Sequence, residues 1–243
     1  MPRIDLNCDL GEGAGHDEEI LPLVTSASIA CGAHAGDADT MRATAALARA
    51  CGVAVGAHPG YADRANFGRI ELALPPREIG ELVRTQIAAL QAAAPGPLRH
   101  VKPHGALYNL AARDRAVADA IAAAVRAADA SLVLFGLAGG ELVRAGRAHG
   151  LRVAAEVFAD RTYRPDGSLT PRAQPGATIE DEAAAVAQVL RMVREGVVRA
   201  TDGSDVPVAA DTVCLHGDGP HAVAFARCLR RELAAACIDV AAV

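Results

Sequence analysis

The chain has 243 residues of which 51% are hydrophobic, enough for one sizeable α/β core, while only 3% are aromatic. Its formal net charge of -5 leaves no basic footprint for nucleic acid or an anionic membrane surface, and the shortage of rings removes a base-stacking platform. Small-molecule chemistry is what remains.

Short apolar runs alternate with amphipathic segments almost from end to end, the βα pattern of a parallel sheet. Strands are predicted at Ile4 to Cys8, Ala27 to Cys31, Val53 to Ala57, His100 to Lys102, Leu132 to Phe135, Arg152 to Val157 and Thr212 to Leu215. Asp37 is placed to cap a helix that runs through Met41, Ala45, Ala48 and Cys51 and stops at Gly52. Pro75 and Pro76 open another, with Ile79, Leu82, Val83, Ile87 and Leu90 on one stripe, and Val117, Ile121 and Val125 mark the next. Thr178, followed by Glu180, Asp181 and Glu182, reads as the start of a helix whose face is Ile179, Ala183, Val186, Leu190 and Val193. Pro220 falls in the first turn of the last helix. Two segments break the alternation: Asp160 to Ala177, rich in Arg, Pro and Gly and read as a flap or hairpin, and Val197 to Ala209, read as a small hairpin around Asp202-Gly203. There is no internal repeat, so residues 1–243 are expected to form one domain.

The six cysteines show no CxxC pair and no zinc-ribbon spacing, and several sit in apolar runs, which predicts buried free thiols in a reducing cytoplasm. No apolar run reaches membrane-spanning length, and the opening Met-Pro-Arg-Ile-Asp carries no signal-like segment. A cytoplasmic protein is expected.

If the strands are parallel, the residues just beyond their carboxyl ends share one rim. Strand one delivers Asn7, Asp9 and Glu12; strand two, His34 and Asp37; strand three, His58; strand four, Lys102 and His104. Strand six delivers Glu156, Asp160 and Arg161, and strand seven, His216 and Asp218. Four of the eight histidines fall on that rim, as does Lys102, the only lysine in a chain that otherwise uses arginine for positive charge. Asp9 and Glu12 beside imidazoles suit acid and base work. Asp37 and Asn7 also fit as turn or cap residues. Lys102, between an apolar strand and Pro103, suits stabilisation of a developing oxyanion, and Asp9, His34 and His58 could offer a divalent metal one carboxylate and two imidazoles. There is no GxxxxGK[ST] loop, no GxGxxG after the first strand and no GxSxG.

Taken together, Asp5-Leu6-Asn7-Cys8-Asp9-Leu10-Gly11-Glu12-Gly13, Ile29-Ala30-Cys31-Gly32-Ala33-His34-Ala35-Gly36-Asp37, Gly56-Ala57-His58-Pro59, Phe67-Gly68-Arg69, Val101-Lys102-Pro103-His104-Gly105-Ala106-Leu107-Tyr108-Asn109, Glu156-Val157-Phe158-Ala159-Asp160-Arg161 and Cys214-Leu215-His216-Gly217-Asp218 resemble the LamB/YcsF family. The likeness covers nearly the whole chain in order. Ser28 stands where the family usually has Asn, and Ala33 where it usually has an aromatic residue. The resemblance implies a distorted seven-stranded parallel (β/α) barrel, TIM-like and of the glycoside hydrolase/deacetylase type, which agrees with the strand count. It also implies the family's role in an ATP-dependent 5-oxoprolinase: 5-oxo-L-proline cleaved to L-glutamate, with ATP as cosubstrate and two further subunits, B and C, as partners. Asp9, Glu12, His34, His58, Lys102 and His104 are then expected to be catalytic, and Asn7, Asp37, Glu156, Asp160, Arg161, His216 and Asp218 to bind substrate. Metal-dependent deacetylation, suggested by the fold type, and a non-catalytic docking role are the alternatives.

Overall fold

A computed structural model of the chain describes residues 2–216 and 222–243, the side chain of His216 excepted. In β1 (Arg3–Leu10), Ile4, Leu6, Cys8 and Leu10 join the main apolar core, whereas Asp5, Asn7 and Asp9 turn to the opposite face. That division is the period of two of an extended strand, and it gives β1 a polar side facing the interior of a barrel. Parallel neighbours follow in chain order: β2 (Ser26–Ala30), β3 (Ala54–His58), β4 (His100–Val101), β5 (Val133–Leu137) and β6 (Arg152–Phe158). The antiparallel hairpin of β7 (Val197–Arg199) and β8 (Asp205–Pro207) comes before β9 (Thr212–His216), which pairs with both β6 and β1 and closes the ring. β10 (Asp239–Val240) adds a parallel pairing to Arg3 and Ile4. The result is a closed barrel of seven parallel strands, as expected.

Among the described residues the helices are α1 (Asp17–Ile20), α2 (Ala38–Ala50), α3 (Pro76–Ala93), α4 (Gly105–Arg113), α5 (Arg115–Ala128), α6 (Glu141–Ala148), α7 (Glu182–Glu195) and α8 (Ala222–Ala235). Their buried stripes, such as Ile79, Val83, Ile87 and Leu90 of α3, press on the outer face of the barrel, and that layer holds most of the apolar core. No helix among the described residues is long and apolar enough to cross a membrane.

Inside the barrel the apolar content is small: Val133, Phe135 and Ala154 form a cluster separate from the main core. His100 fills the space beside them, stacked on Phe135 with ring centroids 4.3 Å apart and within 3.1 Å of the Ser28 hydroxyl. Gly56 is required by that ring, since a Cβ at this position would lie 2.3 Å from the imidazole. Burial pushes the Asp5 carboxyl up from its ordinary value, against hydrogen bonds from Thr212, Thr25 and Ser26.

The hairpin around Asp202-Gly203 forms where it was expected, and the Asp160 to Ala177 flap closes through bridges from Tyr163 to Leu169 and from Arg161 to Thr178. That second bridge overturns the helix start expected at Thr178. Thr178 and Ile179 are committed to the flap, and α7 begins at Glu182 behind Asp181, whose carboxylate accepts from the Ala184 amide. β4 ends one residue early, at Val101. Cys8, Cys31 and Cys214 are buried, but Cys51 and Cys237 are exposed, because each lies just past the end of a helix. Pro220 lies outside the described residues.

Candidate active site

The carboxyl ends of the strands deliver Asp9, His58, Lys102 and His104 to one rim, with Glu12 and His34 in the loops after β1 and β2. The loop carrying Glu12 turns through Gly11 in the left-handed region (φ +71°) and is pinned where the Gly11 amide donates to Asp17 at 2.9 Å. A Cβ on Gly11 would also press on Ile29 at 3.3 Å.

Lys102 sits beneath this rim with 2% of its surface exposed. Its ammonium pairs with Asp9 Oδ1 at 2.8 Å and Glu156 Oε1 at 2.8 Å, donates to Asn7 Oδ1 at 2.9 Å and touches Cys214 Sγ at 3.1 Å. Burial opposes the charge, but the carboxylates outweigh it and hold the lysine pKa well above its ordinary value. Burial likewise raises Cys214 well above its usual range, so it meets the ammonium as a thiol. Asn7 in turn donates to Glu156 at 2.9 Å and Thr212 at 2.7 Å. Asn7 and Glu156, read as substrate ligands in the sequence, are fully buried under the lysine and hold it in place.

Three imidazoles surround Glu12. Its Oε1 lies 3.1 Å from His34 Nε2, 3.2 Å from His104 Nδ1 and 3.6 Å from His58 Nε2, while His58 Nε2 is also 3.3 Å from Asp9 Oδ2. Burial pushes the Glu12 carboxyl up, but the neighbouring imidazoles of His104 and His34 and the charge of His58 win, leaving it well below the carboxylate range. Burial brings His34 down to about 4 and also lowers His104, so both are neutral near pH 7. On His58 burial is outweighed by Asp9 and Glu12, and its pKa rises. Glu12, His34, His58 and His104 each offer a ligand atom, all within 4.8 Å of one another. The carboxylate central to the imidazoles is thus Glu12, and Asp9 of the expected metal trio stands between His58 and Lys102.

A cavity of about 460 Å³ opens above these groups, lined by Asp9, Glu12, His58, Lys102 and His104 on its floor and by Arg69, Tyr108, Arg161 and Arg172 on its walls. Arg161 is anchored to the flap, donating to the carbonyls of Ala177 at 3.2 Å and Thr170 at 2.5 Å. Asp160 is not among the lining residues. Asp37 is exposed and caps α2, accepting from the Thr40 amide at 2.8 Å, beside a shallower hollow that also borders His34. The His216 side chain and Asp218 lie outside the described residues.

Tyr108 and Phe67 were not singled out as site residues. The Tyr108 hydroxyl is buried beside Glu156, and burial together with that carboxylate holds its pKa well above the ordinary value. Phe67 takes a left-handed conformation (φ 56°), a costly choice for a bulky residue, with its carbonyl 2.9 Å from His104 Nε2. Phe67-Gly68-Arg69 and the Leu107-Tyr108-Asn109 run were the sequence signals available for them.

The LamB/YcsF family model matches residues 4–243. The A-subunit of 5-oxoprolinase from Methylococcus capsulatus is 61% identical over 98% of this chain and 95% of its own length. The Bacillus subtilis protein of the same name is 55% identical over 100% and 98%. Among solved structures, a lactam utilization protein from Thermus thermophilus superposes with a TM-score of 0.91 at 48% identity, covering 99% of this chain and 100% of its own.

Proposed function

The chain belongs to the LamB/YcsF family, and from that premise we propose that it is the lactam-opening subunit of an ATP-dependent 5-oxoprolinase, converting 5-oxo-L-proline to L-glutamate beside two partner subunits. One observation carries the reading: a carboxylate fixed by a buried lysine meets a Glu12-imidazole cluster and an arginine around a single cavity, in a chain whose relatives bear that name. A five-membered lactam is an unactivated amide whose closed form is favoured over glutamate, so ATP supplies the drive by phosphorylating the ring carbonyl oxygen, ADP leaving in that step and phosphate leaving after water has added to the carbon and the C–N bond has broken. The absence of a phosphate-cradling loop motif supports nucleotide handling at least partly by the partners. The unpaired thiols support work in a reducing cytoplasm.

Within the cavity, Asp9 is the general base. It takes a proton from water as the oxygen adds to the ring carbonyl carbon, and returns it to the ring nitrogen as the C–N bond breaks. The Asp9, Glu156 and Asn7 oxygens already occupy the three N–H bonds of Lys102, so the lysine acts through its field, favouring negative charge on the carbonyl oxygen. Arg161, held open by the flap carbonyls, binds the substrate carboxylate.

The test is glutamate release from 5-oxoproline by the assembled complex with ATP, comparing the native chain with Asp9→Asn. Loss of the proton acceptor is expected to lower turnover by about 10²–10⁴-fold, the usual worth of a positioned base. Native turnover in Asp9→Asn would show instead a docking subunit with no chemistry of its own.

A further inference from the structure

We propose that Glu12, His58 and His104 form a binding site for one divalent transition-metal ion of the zinc class, open on one side to the cavity. The argument starts from where the two imidazoles place their protons. His58 Nδ1 is 2.8 Å from the Lys102 carbonyl and His104 Nε2 is 2.9 Å from the Phe67 carbonyl. A carbonyl only accepts, so each of those nitrogens carries the ring proton. The remaining nitrogens, His58 Nε2 and His104 Nδ1, face each other 2.9 Å apart, with Glu12 Oε1 3.6 Å from the first and 3.2 Å from the second. Three electron-pair donors facing one another in a buried space repel unless a cation lies among them: without metal that cation is a proton on His58 Nε2, and a divalent ion would take its place.

The spacing fits a metal. Donors about 2.0–2.1 Å from a tetrahedral zinc ion stand about 3.3 Å from each other, and the three separations here bracket that figure. The His58 and His104 rings cross at 86°, which lets both lone pairs converge. His34 is different. Its ring lies parallel to His104, 1° apart with centroids at 3.8 Å, so an ion in the plane of one ring is well out of the plane of the other. His34 therefore donates from Nε2 to Glu12 at 3.1 Å and orients the carboxylate. Backbone carbonyls behind two imidazoles and a hydrogen bond behind the carboxylate are the supports that metal ligands characteristically have. Asp9 Oδ2, 3.3 Å from His58 Nε2, borders the open position.

The inference does not depend on the reaction proposed above, and its test reads binding. Chelator-stripped native chain is titrated with Zn²⁺ against a colorimetric competitor, and with Co²⁺ while its visible ligand-field bands are recorded. One ion per chain is expected, with tetrahedral-type cobalt absorption. His104→Ala and the milder Glu12→Gln are each expected to weaken binding at least 100-fold, and His34→Gln to weaken it by about 10–100-fold with one ion still bound. Circular dichroism identifies any variant that fails to fold, and Glu12→Gln then decides. No stoichiometric zinc in the native chain, or unchanged affinity in folded Glu12→Gln, would overturn the site; loss of all binding in His34→Gln would overturn this ligand set.

Discussion

Replacing Lys102 by Met separates the fold's need for a cation from the chemistry's. In the native site the ammonium faces two carboxylates, Asp9 and Glu156, a net of -1; the substitution leaves -2, with the His58 imidazole beside Asp9 as the remaining counter-group and none beside Glu156. Removing one member of a buried ion pair costs about 3–5 kcal/mol, and at about 2–4 °C per kcal/mol for a chain of this size the melting temperature is expected to fall by about 6–20 °C. The loss follows from the remaining charges more than from the missing contact, so adding Glu156→Gln to Lys102→Met, which returns the net to -1, is expected to recover a measurable part of the stability. Turnover is not expected to recover with it, because the field that favours negative charge on the carbonyl oxygen and the ion pair that positions Asp9 are still missing. Thermal unfolding followed by circular dichroism and glutamate release by the assembled complex are the two assays. A double variant with native turnover would refute the electrostatic role of Lys102. A Lys102→Met single variant melting with the native protein would refute the reasoning about the buried charges.

Two further perturbations probe the packing around the site. A Cβ on Gly60 would lie 2.7 Å from His34 Nδ1 and 3.2 Å from His104 Cβ, and His34 cannot retreat through the ring stacked on it. Gly60→Ala is therefore expected to cost about 1–3 kcal/mol in urea unfolding and to lower turnover by about 10²-fold through misplacement of the cluster, and native turnover would show that the rings tolerate displacement. Burial, aided by Lys102 and His58, depresses His100 to about 3 in the folded chain, against about 6.5 unfolded. The stability this provides is complete above pH 6.5 and is lost as pH falls from there towards 3, amounting to about 2 kcal/mol at pH 5. The stability difference between the native chain and His100→Asn is expected to shrink by that amount between pH 7.5 and pH 5 in urea unfolding, and a difference independent of pH would show that His100 does not titrate in this way.

The barrel was legible because each strand is a short apolar run between a helix and a polar end, and a parallel sheet allows that pattern only one rim. Lys102 stood out as the sole lysine beside Pro103. What the sequence could not reveal is which carboxylate lies among the imidazoles. Asp9 and Glu12 are three residues apart, and their order in space is decided by a glycine turn tied to Asp17, a contact with no local signature. Asp37 was equally open, since a helix cap and a site carboxylate look alike in sequence; its bond to the Thr40 amide shows it capping α2. The start of α7 was misplaced for a related reason: local signals favour a helix from Thr178, but the long-range bridge to Arg161 takes that residue first.

The inward face of β1 shows why residue type at the barrel axis follows from partner type. Asp5, lowest in the strand, meets three hydroxyls that can each donate, so a carboxylate is satisfied there without a cation. Asp9, highest, meets an ammonium. Asn7 lies between them and must do what no carboxylate can: its amide nitrogen donates to Glu156 and Thr212 while its oxygen accepts from Lys102. An ionised Asp in that position would bring a third anion against one lysine and set oxygen against oxygen at Glu156. The amide keeps two carboxylates and one ammonium in register, so the geometry of Asp9 at the rim is built two residues below it.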